Sequence, residues 1–178
     1  TAAGTTDLTG AQCSATGFHW VYDTYSLARS TGAAIVKSVG DTFFFISADY
    51  TYGQVLQRDV SKFVLEAGGK VVGSVPIALG TNDCSAHLLR AQASGAKIIA
   101  LATGGTDMIN CIKQATEFQV NTKGQKVVSL VMLITDVNAL GLQAAQGLLL
   151  TEAFYWDMND ESRAWSKRFF ERRKVMPN

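Results

Sequence analysis

The sequence predicts an open three-layer α/β domain, in which helices cover both faces of a parallel sheet. Apolar runs that are typical of strands buried on both sides alternate repeatedly with segments of helical periodicity. Such alternation indicates parallel strands joined by right-handed crossovers. It does not continue long enough to close a barrel, so the sheet is predicted to be open.

The composition is that of one folded domain. A length of 178 residues allows one sizeable core, and 47% hydrophobic with 17% charged residues is typical of a folded protein. A net charge of +1 gives no electrostatic reason to expect nucleic acid or an anionic membrane as a partner. No apolar run approaches the roughly 20 residues that cross a bilayer. The chain starts without methionine and stops just after a helical pattern, so we expect a processed product or a fragment.

The chain is organised around residues 41–53, where a buried strand leads into a polar and aromatic turn. The run over 42–47 is apolar and rich in residues that favour strands. Residues 1–17 predict an entering loop, because they are rich in Thr, Gly, Ala and Ser without periodicity. An aromatic segment at 18–25 follows, and it is expected to continue as a helix that ends at Gly40.

The elements after the turn follow from the same patterns. An apolar stripe predicts a helix over 51–67, which the glycine pair at 68–69 ends. Pro76 predicts that the next strand lies at a sheet edge or leaves the sheet at its far end. Asn82 or Asp83 is expected to cap the helix that follows. The predicted order is helix 51–67, strand 70–79, helix to 94, strand 96–102, helix to 118, polar loop 121–126, strand 127–134, short helix or turn 138–146, strand 148–155 and helix 162–174.

The three cysteines, Cys13, Cys84 and Cys111, are too few and too scattered for a disulfide scaffold or a zinc site. A single bridge is compatible with an oxidising compartment. Cys84 and Cys111 would form it, because they lie near or on two successive predicted helices. The sequence does not settle the question, and we expect buried free thiols.

Polar, aromatic and small residues collect where the predicted strands end. In an open α/β sheet these ends lie along one edge, where small ligands bind. Paired glycines let a ligand approach the backbone, and free amides at a helix start suit a carboxylate. An aspartate there accepts hydrogen bonds from an ammonium, amide or hydroxyl group. The residues are Tyr50 and Tyr52 after the first strand, Gly104, Gly105 and Thr106 after the third, and Thr135 and Asp136 after the fourth.

These residues also have a purely structural interpretation. The two tyrosines can be ordinary packing aromatics. Thr106 and Asp107 can simply cap their helix. The pattern alone leaves both interpretations open.

No catalytic or cofactor motif stands out. The sequence has no G-x-S-x-G elbow, no G-x-x-x-x-G-K-[ST] phosphate loop and no G-x-G-x-x-G that opens a βαβ unit. The two histidines, His19 and His87, are far apart, and no spacing suggests a metal site. His19 stands among aromatic residues and can line a pocket, whereas we expect His87 to be solvated. We therefore expect no enzyme, no cofactor and no metal.

The last predicted helix carries many basic residues. Asp160, Glu161 and Glu171 are interspersed among them, which favours a solvated helix face over a nucleic-acid patch. The aromatic residues of this helix would form its buried side. The basic residues are Arg163, Lys167, Arg168, Arg172, Arg173 and Lys174.

Several short segments occur in a characteristic order. They are 48–53 (ADYTYG), 68–73 (GGKVVG), 83–86 (DCSA), 91–97 (AQASGAK), 134–137 (ITDV), 147–156 (GLLLTEAFYW) and 163–169 (RAWSKRF). In this order the chain resembles a type I periplasmic substrate-binding protein of an ABC importer. Within that family it is similar to the group that binds branched-chain amino acids, amides and aromatic acids. The resemblance covers essentially the whole chain.

The resemblance implies an architecture as well as a function. Members of the family have two α/β lobes, are about twice this length and trap a small-molecule ligand in the cleft between the lobes. By this resemblance, residues 19–156 are the second lobe, residues 1–18 arrive from the first lobe, and residues 157–178 form the return crossing and the first helix beyond it. The chain would then be one half of a binding protein.

The resemblance also implies the site residues and the partners. Tyr50, Tyr52, Thr135, Asp136 and the run 104–106 would face the ligand. His19 and Trp20, at the first crossing, would suit a flat or aromatic ligand by stacking and hydrogen bonding. The expected partners are the ligand, the permease subunits of an ABC importer and the missing first lobe, and the expected location is the periplasm.

Two alternatives of other classes stay open. The first is the effector-sensing domain of a transcription regulator or receptor on the same fold, which a helix-turn-helix upstream of Thr1 would support. The second is a small α/β enzyme, which would need a nucleophile or a cofactor loop. Neither a nucleophile motif nor a cofactor loop is found in the sequence.

Overall fold

The computed structural model describes residues 3–178, except for the side chains of residues 122 and 123, and it contains a five-stranded parallel sheet. Thr1 and Ala2 of the predicted incoming segment lie outside the described residues. The strands are β1 (Thr42–Ala48), β2 (Lys70–Ile77), β3 (Ile98–Ala102), β4 (Lys126–Ser129) and β5 (Leu149–Leu150). They pair in the order β2-β1-β3-β4-β5, each parallel to its neighbour.

Helices cover both faces of this sheet, so the predicted three-layer architecture is confirmed. They are α1 (Thr24–Ser38), α2 (Thr51–Glu66), α3 (Ser85–Ala93), α4 (Gly105–Glu117), α5 (Ile134–Leu140), α6 (Leu142–Ala145) and α7 (Asp160–Arg173), with 3₁₀ turns at Thr6–Thr9 and Val120–Lys123. The helices α1 and α2 pack on one face, and α3 and α4 on the other. No helix in the described part of the chain is long and apolar enough to cross a membrane.

The central strands carry apolar side chains on both of their faces. In β1, Phe43 and Phe45 pack under α1 and α2, whereas Phe44 and Ile46 pack under α3 and α4. All four are at most 7% exposed. Because successive side chains of a strand point to opposite faces, burial on both sides requires an unbroken apolar run. This requirement explains the apolar pattern from which the strand was predicted.

The edge position of β2 agrees with the prediction from its proline. β2 pairs only with β1, and Pro76 lies opposite Ser47 in that pairing. A proline has no N–H to donate, so a strand with one free edge accommodates it.

The first helix starts later than its aromatic sequence suggests. α1 begins at Thr24, because Asp23 accepts the N–H of Ser26 at 2.7 Å while the Ser26 hydroxyl accepts the N–H of Asp23 at 3.2 Å. This reciprocal capping box fixes the helix start. The aromatic segment before Asp23 therefore stays outside the helix and is available at the surface.

The turn from β1 into α2 is very tight. A Cβ added to Gly53 would lie 2.4 Å from the carbonyl oxygen of Ala48 and 2.6 Å from its nitrogen. Only glycine lets the first turn of α2 come this close to the end of β1. The glycine thus fixes the position of Tyr50 and Tyr52 relative to the sheet.

The last two strands are shorter than predicted. β4 ends at Ser129 rather than 134, and beyond it the regular ladder gives way to single backbone hydrogen bonds, from Leu130 to Leu101 and from Met132 to Thr151. Since β5 pairs with β4 alone, its ladder is limited to the two pairs Val128–Leu149 and Ser129–Leu150. Thr135 and Asp136 therefore lie in the first turn of α5, not directly after a strand.

The expectation of free thiols at Cys84 and Cys111 is wrong. These residues form a disulfide, with a Cα–Cα distance of 5.1 Å, whereas Cys13 is free and exposed. Cys84 precedes α3 and Cys111 lies in α4, and both are fully buried. The bridge links two neighbouring helices on one face of the sheet.

Removal of the disulfide is expected to lower stability substantially. The bridge closes a loop with a sequence separation of 27 residues. From loop-closure entropy, the double variant Cys84→Ala/Cys111→Ala is expected to lose about 3–4 kcal/mol in the free energy of unfolding. Urea unfolding measures this loss. Cys13→Ala is the matched control, and it should leave the unfolding midpoint unchanged. A double variant as stable as the wild type would contradict the bridge.

Gly53→Ala is expected to destabilise the fold, because the added methyl group meets the backbone of Ala48. The expected loss is about 1–3 kcal/mol in the free energy of unfolding. Gly104→Ala is the control, because a Cβ there meets no atom within 4 Å. Equal losses in the two variants would show that the close approach at Gly53 is not what limits this position.

Candidate functional site

The fold contains a switch point between its two central strands. The chain moves from β1 to β2 on one side, and then returns to β3 on the other side of β1. After β1 the chain enters α2 on one face, and after β3 it enters α4 on the opposite face. The loops at the carboxyl ends of β1 and β3 therefore diverge, and ligands of open α/β sheets bind in such a crevice.

Tyr50 and Tyr52 lie on one side of this crevice but differ in exposure. Their rings stack with centroids 6.4 Å apart. Tyr50, at the N-terminus of α2, is 42% exposed. Tyr52 is half-buried and packs against the core, and its ring lies 2.9 Å from where a Cβ of Gly4 would stand. Tyr50 thus presents surface, whereas Tyr52 also fills a packing role.

Burial also affects the chemistry of Tyr52. Burial, followed by the neighbouring Tyr22 and Tyr50, raises the pKa of the Tyr52 hydroxyl well above its usual range. The group therefore remains protonated at any physiological pH and is available as a hydrogen-bond donor.

Two cavities lie side by side at this edge of the sheet. The first has a volume of about 430 Å³ and the second a volume of about 420 Å³. Tyr22 lines both cavities and so lies between them. The first is lined by Trp20, Val21, Tyr22, Leu133, Glu152, Ala153, Phe154 and Asn178, and the second by Ala3, Gly4, Thr5, Tyr22, Tyr50, Thr51 and Tyr52.

Trp20 reaches this edge from the segment before α1, whereas its neighbour His19 is not among the residues that line either cavity. Trp20 is 87% exposed and forms one wall of the first cavity. His19 is half-buried, and its Nε2 atom is buried without a hydrogen-bond partner among the described residues. His87, which was expected to be solvated, is half-buried as well, and its Nδ1 lacks a partner in the same part of the chain.

The glycine run after β3 occupies the other side of the crevice. Gly104 precedes α4, and Gly105 opens the helix with a φ of 60°. Gly105 and Thr106 are exposed. The buried carboxylate of Asp107 accepts the N–H of Gly80 at 3.0 Å and so fixes the loop after β2.

Thr135 and Asp136 lie in α5, beside the first cavity. The Asp136 carboxylate accepts the N–H of Leu133 at 3.0 Å, which closes the first turn of the helix. The Thr135 hydroxyl accepts a hydrogen bond from the side chain of Asn178 at 3.0 Å. Neither Thr135 nor Asp136 is among the residues that line the first cavity.

Glu152 is the residue that the sequence analysis missed. It follows β5, lines the first cavity and accepts the N–H of Ile134 at 3.0 Å through Oε1. The sequence pattern hid it inside a predicted strand over 148–155. A carboxylate between the apolar residues of β5 and three aromatic residues was the available signal.

The pKa values of two ionisable groups next to this cavity are raised. Burial raises the pKa of Glu152, the N–H of Ile134 opposes that change, and the negative charge of Asp136 adds to it. Burial, together with Asp136 and Glu152, raises the pKa of Tyr22. Perturbed groups that converge on a cavity are typical of functional sites. No set of three or more potential metal-binding side chains occurs among the residues that the structure describes.

A sequence profile of the family described as "periplasmic binding protein" matches residues 1–178. The chain belongs to the periplasmic binding protein family. The membership indicated by the ordered sequence segments is thereby confirmed. No curated protein sequence matches the chain.

Solved structures of periplasmic binding proteins show the same fold. One from Burkholderia mallei is 45% identical, with a TM-score of 0.90, over 98% of this chain and 46% of its own. A branched-chain amino acid ABC transporter periplasmic ligand-binding protein from Burkholderia xenovorans LB400 is 35% identical, with a TM-score of 0.87, over 99% of this chain and 47% of its own. A solute-binding protein from R. palustris, solved with benzoate, is 20% identical with a TM-score of 0.86, over 98% of this chain and 48% of its own. The chain thus spans about half the length of these proteins and has the fold of one lobe.

Glu152→Gln is expected to remove a pH dependence from the stability of this periplasmic binding protein chain. Because the folded state raises the pKa of Glu152 above 4.5, ionisation costs the folded state more than the unfolded state. Below the unfolded pKa the group has no effect, and stability falls as the pH rises from 4.5 through the raised folded pKa. Urea unfolding over this range should show the variant gaining stability relative to the wild type as the pH rises.

The control is Glu161→Gln, which removes an exposed carboxylate from α7. Its unfolding at each pH serves as the reference for removing a carboxylate from the surface. A stability difference for Glu152→Gln that changes with pH no more than this reference would mean that the carboxylate is not held in a desolvated position.

Proposed function

We propose that this chain is one lobe of the extracytoplasmic solute-binding component of an ABC uptake transporter. The observation that carries the proposal is the pair of adjacent cavities at the carboxyl edge of the sheet, lined by Trp20, Tyr22 and Tyr50. Exposed aromatic residues around concave sites are typical of small-ligand binding. Two relatives support the same class, since one is a periplasmic binding protein and the other is the periplasmic ligand-binding protein of a branched-chain amino acid ABC transporter.

The proposed division of the chain follows the length of the relatives. Residues 1–18 are the segment arriving from the first lobe, residues 19–156 form the second lobe, and residues 157–178 return toward the first. A coverage of 46% and 47% of two relatives supports a protein about twice as long. The T-shaped contact between Phe154 and Trp165, at 5.4 Å, attaches the start of α7 to the edge where the crossing would lie.

The ligand is proposed to lie in the cleft between the lobes, against the edge described above. It is a small carboxylate, amino acid, amide or aromatic acid. The relatives that bind branched-chain amino acids or benzoate support this range. The residues proposed to contact it are His19, Trp20, Tyr50, Tyr52, Gly104, Gly105, Thr106, Thr135 and Asp136.

The proposed activity is capture and delivery without chemical conversion of the ligand. A ligand that contacts both lobes binds the closed state better than the open state and so shifts the population toward closure. The membrane permease subunits would recognise the closed form, and the protein would work in the periplasm. The regulator alternative is not favoured, because the relatives named above are described as binding proteins of transporters or of the periplasm.

The test is a ligand screen on the full-length protein that contains this chain. Thermal unfolding with amino acids, amides and aromatic carboxylates should show a saturable rise in Tm with at least one compound, because binding to the native state stabilises it by mass action. Trp20→Ala and Tyr50→Ala should each weaken that binding about tenfold or more, since a stacked aromatic residue is lost.

The matched control is Leu89→Ala, at an exposed position of α3. It should leave the affinity unchanged. A full panel without any saturable shift would contradict the solute-binding proposal. Normal affinity in both aromatic variants would instead move the site away from this edge of the sheet.

A further inference from the structure

We propose that Glu152 sets the ligand specificity of this lobe by holding a protonated amine group in the cavity between Trp20, Tyr22 and Phe154. The inference rests on the proposed function, since it treats the edge of the sheet as a ligand site. It differs from the assignment by family resemblance, in which the acidic residue near the ligand is Asp136.

The first step is which carboxylate faces the cavity. Glu152 lines it, and Asp136 is not among its lining residues. Asp136 instead directs Oδ2 to the N–H of Leu133 and closes the first turn of α5. Asp136 therefore affects the groups at the cavity through its charge, whereas Glu152 is in a position to contact a ligand.

The second step is the orientation of Glu152. Its Oε1 accepts the N–H of Ile134 at 3.0 Å, which fixes the carboxylate. Its Oε2 has no hydrogen-bond partner among the described residues. An acceptor that is held by one oxygen and free at the other is preorganised for a donor on a ligand.

The third step is the balance of charge. Among the described residues, no lysine or arginine lines the cavity, and Glu152 is the acidic side chain that does. A ligand carboxylate placed here would meet the negative charge of Glu152, with Asp136 nearby and no positive side chain among the lining residues, which is unfavourable. Burial first, and then the negative charges of Asp136 and Glu152, raise the pKa of Tyr22, and these two charges favour a cation nearby.

The fourth step is the aromatic wall. Trp20, Tyr22 and Phe154 line the same cavity as the carboxylate, and aromatic faces attract cations. Phe154 is held from behind by its T-shaped contact with Trp165. A volume of about 430 Å³ accommodates a small organic molecule. The ligand class is thus a small amine, with an aromatic or aliphatic body, whose ammonium group is directed to Glu152.

The experiment compares three probes with the same ring and different head groups. Benzylamine is cationic, benzamide is neutral and benzoate is anionic. Calorimetric titration of the full-length protein should show benzylamine bound at least about tenfold more tightly than benzoate, as a charged hydrogen bond requires. Glu152→Gln should weaken benzylamine about tenfold or more and leave benzamide within about threefold, because the amide keeps an acceptor oxygen.

Two further variants separate Glu152 from its surroundings. Asp136→Asn should weaken benzylamine less than Glu152→Gln does, because it removes charge and no contact. Glu161→Gln, at an exposed site on α7, should have no effect. In the wild type, benzylamine binding should weaken as the pH falls through the raised pKa of Glu152, and the variant Glu152→Gln should lose that dependence.

The outcomes separate this inference from the proposed function. Benzoate bound more tightly than benzylamine, or equal losses in Glu152→Gln and Asp136→Asn, would overturn the role of Glu152 and leave solute binding intact. The absence of saturable binding by benzylamine would also overturn it. The proposed function is decided by the wider panel, in which any saturable ligand counts. Circular dichroism of each variant confirms that a lost affinity is not a lost fold.

Discussion

Burial of β1 and β3 on both faces is the constraint on which the rest of the structure depends. Neighbouring side chains such as Phe43 and Phe44 enter opposite cores, and both cores exclude water. An unpaired polar group buried inside such a sheet would destabilise the folded state. Polar and ionisable groups therefore concentrate beyond the strand ends, where the chain turns toward its next helix. The position of the candidate site is a direct result of the apolar centre.

The turns beyond β4 and β5 show how that edge is held together. Here the free N–H groups of Leu133 and Ile134, at the start of α5, are each satisfied by a carboxylate, from Asp136 and Glu152 respectively. Two negative groups thereby come close, and the pKa of Glu152 rises with burial and with the charge of Asp136. The N–H groups at the start of α5 need hydrogen-bond acceptors, and the carboxylates that accept them give the cavity its negative charge. One set of contacts serves both folding and the proposed recognition.

The sequence predicted the fold well and the site only in part. Apolar runs identified β1 and β3, because burial on both faces leaves an unbroken pattern in the sequence. The end of β4 was missed, because the residues after it, 130–132, are as apolar and buried as those of a strand. Glu152 was missed because its contact with the N–H of Ile134 depends on how α5 packs against it. The disulfide required knowledge that two helices bring Cys84 and Cys111 within 5.1 Å between their Cα atoms. The residues proposed to contact a ligand remain predictions.

The disulfide has a consequence for the order of events in the life of the protein. Disulfides form in oxidising compartments and are rare in a reducing cytoplasm. Under the proposed location, the newly made chain lacks the covalent link between α3 and α4 until it has left the cytoplasm. The least constrained form of the domain would then be the one that is secreted, and the link would be added on arrival. Oxidation would then make unfolding of the domain less favourable after export than before it.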